Sequence, residues 1–428
     1  MTLTKVIRRI GLISIFAALS SAAVLGQRPA STAPRQEKLL NGLKVLVWNN
    51  PASDKVTLRL RFHGGSAFDP QDREGVMKLV SDSFFPNNAA KEFFTDELGG
   101  SLEVICNYDY VQINASARTS EFLTMLETIS TAIANPTLDK EAAGALKAAL
   151  TAQVKELEKN PEYIADRAVA KRLFGTFPYG RPQMGTVDSI QKIDFADLRF
   201  ARDRLLTADN ATLALTGNVD TTLAFRAVRR YFGSWLKADK KIPSTFRQPD
   251  APVAAQLDLT MAGLANSELR YAVRGFARSS KEFATAEIYS RILQSRFRDL
   301  VSKSAGSDAS VSHDEHILPG AFVFRYRSQA SPSGVVNTTI QNLFNQQITD
   351  AEFAAAKNEA LAVVNQRDIA EWWLDVDTFK ITSVADELKS FQNVTAADVT
   401  VISQKLSREP LASVALIKET PATSPTND

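Results

Sequence analysis

Few side chains in this sequence have types and spacing suited to chemistry. There are three histidines and one cysteine in 428 residues. His313-Asp314-Glu315-His316 is the densest group of metal-ligating residue types. It precedes Pro319-Gly320 and an apolar strand pattern at 321–326, so it reads as a surface loop or strand. Two histidines three residues apart on a strand point to opposite faces. His63, at a strand-to-turn junction, reads as a capping or packing residue. Three scattered histidines build no Ser/His/Asp arrangement, and the chain has neither a G-x-x-x-x-G-K phosphate loop nor a dinucleotide fingerprint. Cys106 lies in an apolar strand pattern and reads as a packed thiol that no internal disulfide can engage. Lys78, Ser81 and Asp82 share one face of a short helical stretch at 75–85, where Lys78 and Asp82, spaced i, i+4, can pair.

The elements that position these residues follow from periodicity. Val76, Leu79, Val80, Ser83 and Phe84 recur at three and four residues, giving a helix with one buried face. The strand at 56–62 leads into it through the turn at 63–70. Segments 102–106 and 110–117 alternate like an antiparallel pair. Helical patterns follow at 119–133, 140–160, 162–173 and 195–205, then a strand at 211–216. The polar segment 237–252, with three prolines, reads as a linker. Beyond it, 269–275 repeats the pattern of 58–64 and a helix at 282–297 follows, as in the first half. Trp372-Trp373, on a further helical stretch, reads as core packing or a subunit seam.

A chain of this length calls for two or more domains. Its net charge of +2 gives no reason to expect nucleic acid or an anionic membrane surface as partner. Lys5, Arg8 and Arg9, an apolar run at 10–19 and small residues at 20–26 read as a cleaved export signal. A secreted or periplasmic bacterial protein is expected, with no integral membrane segment after cleavage. The Thr/Pro/Ser-rich residues 419–428 read as a disordered tail.

The strand–turn–helix at 56–85 resembles the zinc-site segment of the insulinase/pitrilysin metallopeptidases, in particular their mitochondrial-processing-peptidase-like branch. Gly65-Ser66, Asp69 and Gly75-Val76 carry the match at the helix entry. Asn41-Gly42-Leu43-Lys44-Val45, Leu98-Gly99-Gly100, Gly217-Asn218 and Tyr231-Phe232-Gly233 add further landmarks. The resemblance implies an α+β fold of two similar α/β halves, at 36–236 and 253–418. Each half would be a mainly antiparallel sheet with helices packed on one face.

The resemblance also implies where chemistry should sit. The family carries an H-x-x-E-H motif on this helix; here Lys78 stands at the first His, Ser81 at the Glu and Asp82 at the second His. The third ligand, a Glu on a later helix, aligns with Gln153, with Glu156 and Glu158 as neighbouring alternatives. A hydrolytic zinc needs three protein ligands and one open position. Lys78, Asp82 and Gln153 do not supply them, so neither a metal nor a catalytic residue is expected. Leu102, Glu103, Val104 and Ile105 occupy the edge strand that pairs with extended peptide in the family. Ser302 and Ala309 stand at the positions of a substrate-assisting Arg and Tyr. The resemblance thus implies an inactive homologue partnering a zinc-bearing relative as a heterodimer. An active zinc peptidase with atypical ligands and a stand-alone peptide-binding scaffold are the alternatives.

Overall fold

The structure is a computed structural model that describes residues 33–419, apart from 135, 137, 239–245, 247–248, 254, 302–307 and 330–335. The export signal at 1–26, Ser302 and nearly all of the 419–428 tail therefore lie outside the described residues.

The first half runs β1 Arg35–Lys38, β2 Lys44–Asn49, β3 Lys55–Phe62, α1 Val76–Asp82, α2 Ala89–Asp96, β4 Ser101–Cys106 and β5 Val111–Arg118. It continues with α3 Phe122–Ala134, α4 Lys140–Leu157, α5 Pro161–Phe174, α6 Val187–Lys192, α7 Phe195–Leu205, β6 Ala211–Gly217 and α8 Thr221–Phe232. The second half runs β7 Leu257–Met261, β8 Ser267–Arg274, α9 Phe283–Val301, β9 Asp308–His313, β10 Ala321–Ser328 and α10 Val336–Asn345. It closes with α11 Asp350–Gln366, α12 Ile369–Phe379, α13 Val384–Asn393, α14 Ala396–Leu406 and β11 Ala412–Lys418. None of the described helices is long and apolar enough to cross a membrane.

The two sheets have the same plan. The first is ordered β1-β2-β6-β3-β5-β4 and the second β7-β11-β8-β10-β9. With β1 set aside, each begins with one parallel pair, β2 with β6 and β7 with β11. The remaining pairs are antiparallel. The residue pattern shared by 58–64 and 269–275 falls on β3 and β8, each of which pairs with the last strand of its own half. The fold is α+β, a mainly antiparallel sheet in each half with its own helices on one face. Alternation along each strand gives the sheet an apolar side, and α1, α3 and α8 bury theirs against it in the first half, as α9, α11 and α14 do in the second.

The other face of each sheet is covered reciprocally. Val169, Leu173 and Phe174 of α5 pack on Ala272, Val323 and Val414 of the second sheet. Ala370 and Leu374 of α12 pack on Leu46 and Ala214 of the first, with Trp373 edge-on to Trp48 at 6.3 Å. Both crossing helices are started by a side-chain cap. Asn160 accepts from the Glu162 and Tyr163 amides, and Asp368 from those of Ala370 and Glu371. Such a cap contributes about 1 kcal/mol. The 140–160 helical pattern is accordingly two elements: α4 stops at Leu157, and Asn160 belongs to the start of α5. In the 237–252 stretch, Phe246 packs edge-on to Phe68 and Phe177.

Candidate functional site

The entry to α1 is fixed by backbone contacts that glycine permits. A Cβ on Gly65 would lie 2.1 Å from the Asn107 carbonyl oxygen, so the turn between β4 and β5 can close over this point only without a side chain. The Ser66 and Ala67 amides donate to the Asn107 and Tyr108 carbonyls at 2.8 and 3.0 Å. Asp69 then caps α1 from a distance, accepting from the Gly75 and Met77 amides at 2.8 Å each. Burial pushes its carboxyl up to about 7, against the pull of those two amides and of Arg181.

On α1, Lys78 Nζ lies 2.5 and 2.6 Å from the two oxygens of Asp82. Ser81 is buried and its hydroxyl donates to the Lys78 carbonyl at 2.7 Å. Cys106 of β4 lies beside this group. Burial pushes its thiol up, Asp69 and Asp82 add to the shift, and Lys78 opposes it. Gln153 is on an exposed face of α4. Glu156 pairs with Lys159 at 2.7 Å and Glu158 with Arg167 at 3.4 Å. The Lys78–Asp82 side chains are half-buried, 22% and 31% exposed, so Lys78→Met should cost about 1–3 kcal/mol in a urea titration, between an exposed and a fully buried pair.

Leu102, Glu103, Val104 and Ile105 lie on β4 at the edge of the six-stranded sheet, paired on one side only with β5. Leu102 is buried and Glu103 exposed. Ala309 is buried on β9, opposite Tyr326 of β10.

Two constellations escape a reading of local sequence. Arg61 of β3, buried to 1% exposure, bonds Gln112 of β5 and then Glu371 and Asp375 of α12 in the other half. The second overturns the surface-loop reading of 313–316. His313 ends β9, buried, with Nδ1 2.9 Å from Glu287 and Nε2 accepting from the Phe276 amide. His316 reaches the other half, where Nδ1 lies 2.6 Å from Asp109 and the ring stacks on Tyr179 at 4.2 Å. Burial pulls this imidazole down, but Asp109 and Asp314 outweigh it and the net shift is upward. The two histidines serve separate partners, and the partners lie far away in sequence, which is why a local reading misses them. The Tyr108-Asp109-Tyr110 turn was the one available signal, an acid between aromatics at a hairpin tip.

Comparison with known proteins bears on this geometry. The profile described as "Insulinase (Peptidase family M16)" matches residues 44–187, and "Peptidase M16 inactive domain" matches residues 192–360. The chain belongs to the insulinase (M16) peptidase family. Similar proteins include an uncharacterised zinc protease of Bacillus subtilis, 21% identical over 46% of this chain and 49% of its own length. A mitochondrial-processing peptidase subunit beta of Blastocladiella emersonii is 20% identical over 73% of this chain and 68% of its own. Among solved structures, a peptidase M16 inactive domain from Pseudomonas fluorescens superimposes with a TM-score of 0.80 at 19% identity, covering 92% of this chain and all of that one. The Bacillus match, like that to a zinc protease of Rickettsia felis, spans about half the relative's length.

The M16 family uses zinc, and the residues present at the corresponding positions here do not fit it. The one carboxylate at the motif, Asp82, has both oxygens on the Lys78 ammonium. Ser81 is sealed in and already donating to a carbonyl. Gln153 supplies no charge. Among the described residues no group of three or more His, Cys, Asp or Glu is arranged to hold a metal ion.

Proposed function

We propose that this M16 chain is catalytically silent and serves as an accessory subunit, binding extended peptide and completing the chamber of a zinc-bearing homologue. The observation that carries this reading is the Lys78–Asp82 ion pair. It places an ammonium where a dication would need a ligand and consumes the remaining carboxylate. The open edge of β4 supports peptide binding, since an extended chain can add there as a further strand without any chemistry. A relative named as a subunit beta supports assembly with a second chain. The residues at 1–26 support an exported protein, secreted or periplasmic.

Native mass spectrometry with metal analysis, on protein recovered from its own extract, tests the reading. The expected result is a complex with a zinc-bearing homologue and zinc well below one equivalent on this chain. Deleting the chain should then lower the partner's peptidase activity. Stoichiometric zinc and peptide hydrolysis by this chain alone would instead establish an active peptidase with atypical ligands. A metal-free species with no peptidase partner would leave a stand-alone peptide-binding scaffold.

A further inference from the structure

We propose that the cavity between the two halves, distinct from the α1 site, binds an organic carboxylate with an apolar or aromatic body. The cavity has a volume of about 440 Å³, within the range of about 300–1,000 Å³ usual for small-molecule sites. Lys78, Ser81, Asp82 and Gln153 do not line it. One wall is α5, and the facing wall is the second sheet, through Ala272, Ala321, Val323 and Arg325. The remaining wall is the β4–β5 turn, the segment after α5 and the β9–β10 connection, which bring Tyr108, Tyr179 and His316 together. Both halves are needed to enclose the space.

Four cationic side chains, Arg167, Arg181, Arg325 and His316, line the cavity with Asp166 and Asp314. Arg167 pairs with Glu158, Arg181 with Glu74 and His316 with Asp109, so an anion would have to use donor atoms these pairs leave over. Asp166 is already engaged by two guanidiniums, Arg270 and Arg325. Asp314 has only a 3.5 Å contact from the Ser312 hydroxyl among the described residues. Burial pushes its carboxyl up, against the pull of His316, Arg325 and His313.

His316 is the natural counter-ion. Asp109 holds Nδ1 and fixes the ring against Tyr179. Nε2 has no hydrogen-bond partner among the described residues, and the side chain, 17% exposed, lines the cavity. Nε2, when the ring is protonated, and Arg325 Nη2, which has no hydrogen-bond partner among the described residues, both line the cavity and can offer charge-assisted donors to a carboxylate. Leu173, Phe174, Val169 and Val323 give the rest of the ligand an apolar bed. A free carboxylic acid and the C-terminal carboxylate of a peptide share this chemistry.

The test is calorimetric titration of the full chain with N-acetylphenylalanine and with N-acetylphenylalanine amide. A second arm uses a heptapeptide ending in Phe, as the free acid and as the C-terminal amide. The expected result is saturable one-to-one binding of at least one acid, with its amide weaker by about tenfold or more. The arm that binds more tightly identifies the source. His316→Gln, whose amide can still bond Asp109, should weaken acid binding by about tenfold and leave the amide unchanged. Ala170→Leu, which fills the cavity from α5, should abolish both. Failure of both acids to bind by about 10 mM, or equal binding of acid and amide, would mean that the cavity is only a water-filled seam and would overturn the proposal.

Discussion

Arg61→Met should destabilise the protein by about 3–5 kcal/mol, the range for breaking a buried ion pair from one side. The guanidinium is 1% exposed, and Nη1 bonds Asp375 Oδ1 at 2.7 Å. Nη2 bonds Glu371, Nε bonds Gln112, and Tyr110 stacks on the guanidinium carbon at 4.0 Å. Methionine can occupy much of that volume, so lost packing is a minor part of the effect. The larger part is the loss of the guanidinium's charge-assisted bonds, which leaves each acid with weaker or fewer partners. Asp375 would keep only Arg278 at 3.5 Å and Arg367 at 3.4 Å, while Glu371 would retain Arg59 at 2.7 Å. If this account holds, Asp375→Asn on top of Arg61→Met should cost less than the two single losses added together, because the Arg61–Asp375 contact is lost only once. Urea midpoints of the two single variants and the double variant measure this coupling. Additive effects would place Arg61's contribution outside its contact with Asp375. Since Asp375 and Glu371 belong to α12, loosening of this contact should also appear as faster hydrogen exchange along that helix.

The same network shows what could and could not be read from the sequence. The repeat of 58–64 at 269–275 announced two similar halves, because side-chain alternation along a strand is a local property. Arg59 and Arg270 hold equivalent places in that repeat, and each reaches an acid on the helix crossing from the other half, Glu371 on α12 and Asp166 on α5. Nothing local says which sheet a helix will cover. The apolar residues of α5 identify a buried face but do not name Ala272 and Val323 as its floor. The candidate site divides along the same line. The Lys78–Asp82 contact was legible because it spans one helical turn. The contacts Asp109–His316 and Arg61–Asp375 were not, because their partners are separated by 207 and 314 residues. The histidines at 313–316 were misread for this reason: their burial is supplied by Glu287 and Asp109, which the local segment does not contain.

His63 sits on the same seam and should make the protein lose stability as pH falls. Its Nδ1 and Nε2 lie 3.0 Å from the hydroxyls of Thr378, on α12, and Thr212, on β6. Thr212 donates to Asp377 at 2.8 Å and Thr378 to the Leu374 carbonyl at 3.0 Å, so each hydroxyl turns an oxygen lone pair toward the ring. Burial drives the imidazole down to about 3; Asp377 opposes the shift, and Lys380, Arg61 and Lys44 add to it. The unfolded chain takes up a proton near pH 6.5 that the folded chain refuses until about 3. Stability from this group is therefore full above about 6.5 and falls as pH drops, by about 1.4 kcal/mol per pH unit at the limiting slope. From pH 6.5 to 5, above the range of ordinary carboxylates, the loss should reach about 1–2 kcal/mol. Asp69 runs the other way, since a carboxyl raised to about 7 binds its proton in the folded state first and stabilises more as pH falls. His316, shifted upward, contributes stability at low pH that is lost as pH rises through its folded value. The wild-type curve is thus a sum, and the difference between wild type and His63→Gln isolates the one term. Glutamine can span the two threonines without titrating. Urea midpoints at a series of pH values should show the variant gaining on wild type steadily from pH 6.5 to 5. Parallel curves would mean that His63 takes up a proton in the folded state as readily as in the unfolded one, and that the seam tolerates its charge.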